Sequence, residues 1–163
     1  MPGAGKSTIG QILASLLGYA FVDTDYIIEA LYARRLQDVT EALGREDFLD
    51  VEAKAIAVVR GVDSVVATGG SAVYRPCAMA HLRGLGPVIH LRLSLETVEK
   101  RVALNPERGI SFGPGQTLAD LYSERMALYA RYCDYECDTD DLPPSGCAEF
   151  IVSQIAGWQG RSC

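Results

Sequence analysis

Apolar positions along the chain follow two spacings, one typical of helices and one typical of buried strands. In residues 9–17 they recur three and four positions apart, which predicts an amphipathic helix. Residues 62–68 instead form a short β-branched run between two glycines, which predicts a buried strand. Because the two patterns follow each other through the chain, helices and strands are expected to alternate.

The full predicted order is α-β-α-α-α-β-α-β-α-loop-α-β-α. Strands are predicted over residues 19–23, 62–68, 87–93 and 135–139. Helices are predicted over residues 9–17, 26–33, 37–43, 47–59, 78–83, 95–104, 117–132 and 147–155. Ser94 is the expected N-cap of one helix, and Thr117 with Asp120 resembles a capping box for another. Residues 105–116 contain glycine and proline without an apolar period, which indicates a mobile loop.

This alternation predicts the fold class. Strands separated by helices form parallel sheets with helices on both faces, so the chain is expected to be an α/β, three-layer α/β/α sandwich. Its 163 residues fit one domain, expected to span residues 1–163, with residues 105–116 as a lid. No internal repeat is visible.

Composition narrows the function classes. The net charge of −6 argues against nonspecific nucleic-acid binding, which needs a basic face. No apolar stretch approaches the ~20 residues of a membrane span. Five cysteines, an odd number without a zinc-site spacing, indicate reduced thiols. We therefore expect a cytoplasmic protein without a nucleic-acid or membrane partner, and we expect it to be a monomer.

Candidate chemistry begins at the first residues. Residues 3–8, with the sequence Gly-Ala-Gly-Lys-Ser-Thr, match the second half of the P-loop pattern, and the first predicted helix starts inside this motif. Consecutive backbone N–H groups, a lysine and a helix N-terminus form a cradle for nucleotide phosphates. An ordinary glycine-rich helix start is the alternative, but it leaves unexplained why Lys6 lies where the helix dipole repels a cation.

The P-loop pattern also raises an expectation about the sheet. Its first glycine would precede Met1, and no strand is predicted before the first helix. The central strand of the sheet is therefore expected to be missing from this chain, either by construction or through a misplaced start.

Polar residues follow two predicted strands at their carboxyl ends, where open parallel sheets bind ligands. Asp23 and Asp25 follow the first strand, and carboxylates beside a P-loop suit Mg²⁺ handling and contact with an acceptor hydroxyl. Gly69 and Gly70 follow the second strand and allow close backbone approach to a ligand. A polar turn and a tight turn are the alternative interpretations of these two segments.

Arginines around the predicted lid could neutralise phosphate charge. Arg101 and Arg108 flank the start of the loop, and Arg125 lies on the helix after it. Arginines in a loop that closes over phosphates commonly stabilise charge that develops during phosphoryl transfer. Each one alone is equally compatible with a solvent-exposed surface position.

Several motifs follow one another in order along the chain. They are Gly-Ala-Gly-Lys-Ser-Thr-Ile-Gly from Gly3, Phe-Val-Asp-Thr-Asp from Phe21, Glu-Asp-Phe from Glu46 with Glu52, Val-Val-Ala-Thr-Gly-Gly from Val65, Arg108 in the lid, and Arg125 with Leu128 and Tyr129. Together they resemble the shikimate kinase family, a group of small P-loop kinases related to nucleoside monophosphate kinases. The resemblance spans almost the whole chain. It implies ATP, Mg²⁺ and transfer of the γ-phosphoryl group to a ring hydroxyl.

The resemblance also implies residue roles. For the donor, Gly3, Ala4, Gly5, Lys6, Ser7 and Thr8 would bind phosphates, Arg101 would lie near the adenine, and Ser7 and Asp23 would serve the metal. For the acceptor, Asp25 would hold the hydroxyl and Arg125 would bind the carboxylate. Gly69, Gly70, Ser71 and Leu49 would line the acceptor site. Lys6, Asp25 and Arg108 would be the catalytic residues.

Departures from the family pattern leave the acceptor open. The family has an arginine after the phenylalanine where this chain has Leu49, and a third glycine where it has Ser71. A guanidinium–carboxylate fork is a strong contact, so its loss would change the acceptor pocket. Shikimate, another small hydroxy acid such as homoserine or gluconate, and nucleotide binding without catalysis therefore remain the three hypotheses.

Overall fold

A computed structural model describes residues 1–104, 110, 112–113 and 115–158 of the chain. Seven helices lie in these ranges: α1 (Lys6–Leu17), α2 (Thr24–Tyr32), α3 (Leu36–Ala57), α4 (Pro76–Leu85), α5 (Leu95–Ala103), α6 (Leu118–Tyr132) and α7 (Pro144–Ile155). Four strands accompany them: β1 (Ala20–Asp23), β2 (Ser64–Ala67), β3 (Ile89–Arg92) and β4 (Tyr135–Asp138). A 3-10 turn at Ala72–Tyr74, which the sequence pattern did not predict, follows β2.

The predicted caps and helix breaks are confirmed. The Ser94 side chain accepts a hydrogen bond from the Thr97 backbone N–H at the start of α5. Thr117 and Asp120 form a reciprocal capping box at the start of α6. The two helices predicted on either side of Gly44 lie within α3, where Gly44 has φ 74° and ψ 175° and breaks the helical path. Local sequence therefore determines where these helices begin and bend.

The strands form two separate parallel pairs. In one pair β1 lies beside β2, with Asp23 opposite Ala67. In the other β3 lies beside β4, with Arg92 opposite Asp138. Parallel pairing places the carboxyl ends of β1 and β2 together, so the residues that follow these strands meet at one edge.

A slot separates the two pairs of strands. Consecutive residues of β2 and β3 line a cavity of about 690 Å³ between them. Side chains alternate across a strand, so a wall made of consecutive residues is a strand edge rather than a sheet face. In the described part of the chain no strand lies between β2 and β3. The α/β fold class is thus confirmed, and the gap lies where the sequence pattern lacked a central strand.

Helices cover both faces of this arrangement. On one face α1 and α7 pack together over β4, with Ile9, Leu13, Cys137 and Ile151 in their shared core. On the other face α3, α4 and α6 pack around Ile56, Met79 and Tyr132. These three layers leave the carboxyl ends of β1 and β2, and the start of α1, accessible to ligands.

Two further features concern composition. None of the helices over the described ranges is both long and apolar enough to cross a membrane. Cys77, Cys133, Cys137 and Cys147 are free thiols, and burial is the main cause that raises the pKa of Cys137 to about 12. Cys163 lies outside the described residues.

Candidate active site

The turn before α1 has the backbone geometry of an anion cradle. Gly3 has φ 76° and Gly5 has φ 82°, a left-handed region that residues with a Cβ rarely adopt. Gly5 is the N-cap of α1, and no side chain caps the helix there. The first N–H groups of a helix have no intrahelical acceptor, so a phosphate group fits this position.

Two cations hold this loop. Lys6 donates from Nζ to the carbonyl oxygen of Met1 at 3.0 Å, so its side chain folds back over the loop. Arg101 donates to the carbonyl oxygen of Gly3 at 2.8 Å and to that of Thr139 at 3.3 Å. Arg101 thereby ties the loop to the segment after β4. Its predicted position near an adenine ring stays a prediction.

Ser7 and Asp23 form the predicted pair of metal ligands. Ser7 donates from Oγ to Asp23 Oδ2 at 2.7 Å. The other carboxylate oxygen of Asp23 accepts from the backbone N–H of Asp25 at 3.0 Å and thereby caps α2. Over the described ranges no group of three or more histidine, cysteine or acidic residues could hold a metal. Mg²⁺ usually takes one or two protein oxygens together with substrate phosphates, so this hydroxyl–carboxylate pair fits it.

A cavity of about 320 Å³ lies directly beside the loop. It brings together eight of the predicted site residues: Lys6, Ser7, Asp23, Asp25, Gly69, Gly70, Ser71 and Arg125. Ile110, from the predicted lid, also lines it. The phosphate cradle and the acceptor residues therefore share one space, as their positions after β1 and β2 predict.

Close packing explains why both glycines after β2 lack side chains. A Cβ on Gly69 would collide with the carboxyl group of Glu52 and lie 3.0 Å from Asp25 Oδ1. A Cβ on Gly70 would lie 2.9 Å from Arg125 Nη1. The glycines thus let two carboxyl groups and a guanidinium approach the strand end from different elements.

Arg125 is the buried cation of the cavity. It is 3% exposed, its guanidinium lies 5.5 Å from the centre of the Tyr74 ring, and its Nε has no hydrogen-bond partner in the described part of the chain. Beside it, the Tyr129 hydroxyl donates to the carbonyl oxygen of Gly70 at 2.7 Å. Burial raises the pKa of Tyr129 to about 12, so this hydroxyl stays protonated as a donor.

Glu52 is a cavity residue to which the sequence reasoning gave no role. It is 1% exposed, and neither carboxyl oxygen has a hydrogen-bond partner of good geometry over the described ranges. Burial, its largest influence, raises the pKa of Glu52 to about 7; Asp25 adds to the shift, whereas Ser71, Arg125 and Lys6 oppose it. The only sequence signal was its place in the motif after Phe48, which carries no information about burial.

Leu49 and Arg108 are two further predicted site residues outside this set of eight. Leu49 is 2% exposed and packs in the core, whereas Phe48 and Glu52 of the same helix line the cavity. Arg108 lies outside the described residues. The roles assigned to these two positions stay predictions.

The arrangement can bind a polyanion and a small hydroxylated acid together. The cradle and Lys6 suit phosphates, Asp25 can accept a hydroxyl proton, and Arg125 can bind a carboxylate. These are the requirements of phosphoryl transfer to an alcohol, in which positioning and charge neutralisation provide most of the catalysis.

Comparisons with known proteins agree with this chemistry. The family model for shikimate kinase matches residues 2–156. Shikimate kinase 2 of Yersinia pestis (strain Pestoides F) is 36% identical over 160 residues, covering 95% of this chain and 91% of that protein. Shikimate kinase of Mycobacterium avium (strain 104) is 33% identical over 158 residues, covering 95% and 89%.

Comparison with solved structures also finds shikimate kinases. Shikimate kinase from Acinetobacter baumannii, in complex with shikimate, superposes with a TM-score of 0.86 at 28% identity and covers 96% of this chain and 89% of that one. The Aquifex aeolicus shikimate kinase has a TM-score of 0.81 at 22% identity, covering 96% and 93%, which supports the fold alone.

Proposed function

Because this chain belongs to the shikimate kinase family, we propose that it transfers the γ-phosphoryl group of ATP to a hydroxyl group of shikimate. One observation carries the proposal: Asp25 and Arg125 line the same 320 Å³ cavity as Lys6 and Ser7. A hydroxyl-binding carboxylate, a carboxylate-binding guanidinium and a phosphate cradle are thereby within reach of one small molecule and one nucleotide.

Each residue has a definite task in this reaction. The loop around Gly5 and the Lys6 ammonium hold the β- and γ-phosphates, and Arg125 orients the acceptor through its carboxylate. Asp25 accepts a hydrogen bond from the reacting hydroxyl and takes its proton as the new O–P bond forms. Mg²⁺, held through Ser7 and Asp23, would supply neutralising charge to the phosphates. Arg108 of the lid is assigned the same neutralising role by position.

A second candidate is a different small hydroxy acid, such as homoserine or gluconate. Two features favour it: Leu49 is buried and apolar where the family pattern has an arginine, and Ser71 adds a hydroxyl to the cavity lining. Both alter the acceptor end and leave the phosphate end unchanged. A nucleotide-binding protein without catalysis is the third possibility, and Asp25 argues against it because a pure binder needs no acceptor base.

We propose further that the protein acts as a cytoplasmic monomer without a nucleic-acid partner. The net charge of −6 and the absence of a basic run support this assignment. Sedimentation at several protein concentrations tests the oligomeric state, and a concentration-dependent mass would contradict it.

ADP release from Mg·ATP, measured with shikimate, homoserine and gluconate in parallel, tests the acceptor. Turnover with shikimate alone is the expected result. Turnover with one of the others in its place would support the second candidate, and ATP binding without turnover on any of the three would support the third.

A further inference from the structure

Arg35 breaks the local rules of helix capping. It is the N-cap of α3, with φ −66° and ψ 148°, and its side chain makes no capping hydrogen bond. N-caps favour serine, threonine, aspartate or asparagine, because a short acceptor there binds the first free N–H groups. A guanidinium cannot accept such a bond, and the helix dipole disfavours a cation at this end. Residues that break a local rule are often kept for function.

The start of α3 is stabilised without Arg35. Glu29 of α2 accepts a hydrogen bond from the backbone N–H of Leu36 at 2.8 Å, at the place where a capping side chain would bind. The carboxylate also puts negative charge at the helix N-terminus, which the dipole favours. Capping therefore does not explain an arginine at position 35.

The position of Arg35 gives a reason for its presence. It is an exposed residue and lines the same 320 Å³ cavity as Asp25 and Arg125. The neighbouring Arg34 is also exposed but does not line this cavity. Arg35 therefore differs from an ordinary surface arginine such as Arg34, because it lines the cavity that contains Asp25 and Arg125.

Two acidic side chains in the cavity favour more than one cation for a carboxylate ligand. Asp25 and Glu52 lie together beside Gly69, and both would repel an incoming carboxylate when ionised. Arg125 is buried with an unpartnered Nε over the described ranges, which leaves donor capacity for a ligand. Leu49 is apolar and packed in the core, so it contributes no charge.

We propose that Arg35 is a specificity-determining residue that binds the acceptor's carboxylate together with Arg125. The proposal rests on the proposed function, since it concerns the acceptor of that reaction. The class of ligand is a small hydroxylated carboxylic acid whose carboxylate lies between the two guanidiniums while its hydroxyl faces Asp25. Two guanidiniums and one carboxylate leave a net positive charge that offsets the neighbouring acids.

Arg35→Ala tests the proposal, with Arg34→Ala as the matched control. Arg35→Ala is expected to raise the KM for shikimate roughly tenfold or more, the loss typical of one charge-assisted contact. The KM for ATP should stay within about twofold in both variants. The control should resemble the wild type for both substrates. A shikimate KM in Arg35→Ala within twofold of the control would overturn the proposal.

The methyl ester of shikimate separates charge recognition from a structural effect. Because the ester has no carboxylate charge, Arg35→Ala and the wild type should handle it with similar kcat/KM. An equal penalty on acid and ester would mean that Arg35 acts by shaping the cavity, and would overturn the proposal.

Wild-type activity tests the proposed function, whereas binding by the variants tests the role of Arg35, so the two can fail independently. If the wild type does not phosphorylate shikimate, the proposed function fails, and calorimetric titration of shikimate into both variants still decides the role of Arg35. Weaker binding in Arg35→Ala than in Arg34→Ala supports the assignment. Equal binding, including no binding to either variant, overturns it.

Discussion

Asp25 is the residue on which the proposed chemistry depends most. It lines the cavity beside the phosphate cradle and lies close to Gly69 at the end of β2. Replacing its carboxylate with an amide keeps the shape but removes the base. We expect Asp25→Asn to lower kcat about 10²- to 10⁴-fold, the usual contribution of a positioned general base.

The affinity for Mg·ATP should change little in Asp25→Asn, because the cradle is made by other residues. Steady-state kinetics together with calorimetry of nucleotide binding measure both quantities. Loss of ATP binding alongside activity would show that Asp25 supports the donor site instead.

The raised pKa of Glu52 is expected to make the free energy of unfolding depend on pH. Its pKa is raised from the usual 4.5 to about 7, chiefly by burial, so the folded state holds the proton more tightly than the unfolded state. The stability that this protonation contributes is present below pH 4.5 and is lost as the pH rises through about 7. The total change is about 3 kcal/mol at 1.36 kcal/mol per pKa unit.

Glu52→Gln removes this titration. We expect the wild type to lose stability relative to Glu52→Gln between about pH 5 and pH 8, as measured by urea denaturation at each pH. Glu149→Gln, an exposed change on α7, is the control and should run parallel to the wild type. A constant difference between wild type and Glu52→Gln across this range would contradict the raised pKa.

The residues of the candidate site were only partly predictable from the sequence. The cradle was predictable because its glycine motif specifies a local backbone turn. Asp23 and Asp25 were predictable because they lie at the carboxyl end of a predicted strand, where parallel sheets bind ligands. Glu52 and Arg35 were not, since their importance depends on which cavity they face, and that is set by packing between elements distant in sequence. Leu49 illustrates the same limit, because sequence position alone does not distinguish a core residue from a cavity wall.

The positions where helices begin and break were predictable wherever interactions between residues close in sequence determine them. The capping box at Thr117 and the break at Gly44 follow from side-chain acceptors and from backbone freedom, which act within a few residues. The start of α1 at Lys6 confirms the helix start predicted inside the motif of residues 3–8. The turn at Ala72–Tyr74 carries no local signal of that kind.

The end of α2 gives a test at this scale. Ala33 is its C-cap and has φ 50° and ψ 37°, a left-handed conformation in which a Cβ costs about 1 kcal/mol. We expect Ala33→Gly to change the free energy of unfolding by about +0.5 kcal/mol, because relief of strain slightly exceeds the entropy that glycine adds to the unfolded chain.

Ala30→Gly, inside the same helix, is the matched control. It should destabilise the protein by about 0.5–1 kcal/mol, since glycine has no strain to relieve there. Urea denaturation measures both variants. Equal destabilisation by the two changes would show that the left-handed conformation at residue 33 is not maintained in solution.

At the scale of the whole molecule, the slot between β2 and β3 is the main irregularity of the fold. Over the described residues, the edges of β2 and β3 that face the slot pair with no other strand. Most of the surface that lines this 690 Å³ cavity is apolar, and burying apolar surface stabilises a fold. The backbone amine of Met1 is also buried beside the slot, and burial, followed by Lys6 and Arg125, holds its pKa well below the usual value. An extended apolar segment in the slot would pair with both strand edges and fill the volume.

A strand-forming apolar segment of about six residues, fused ahead of Met1, is therefore expected to raise Tm by several degrees or more and to tighten ATP binding. A peptide bond also replaces the buried amine. A glycine–serine segment of the same length is the control and should leave Tm nearly unchanged. Equal Tm values for the two fusions, measured by calorimetry, would contradict this account of the slot.

The layered architecture was predictable as a whole because alternation of helices and strands leaves few packing solutions. Over the described residues the strands form two separate pairs, which agrees with the expectation that the sheet lacks its central strand. The shape and charge of the 320 Å³ cavity were not predictable, since six segments contribute to it, within residues 2–7, 23–37, 48–52 and 69–71 and at residues 110 and 125.

Phosphorus-31 NMR of the protein with Mg·ATP and shikimate tests the central claim most directly, because it follows the transferred group itself. The account predicts that the γ-phosphate resonance declines while a phosphomonoester resonance of the acceptor grows at the same rate. Unchanged ATP, or release of inorganic phosphate without a phosphomonoester, would contradict it.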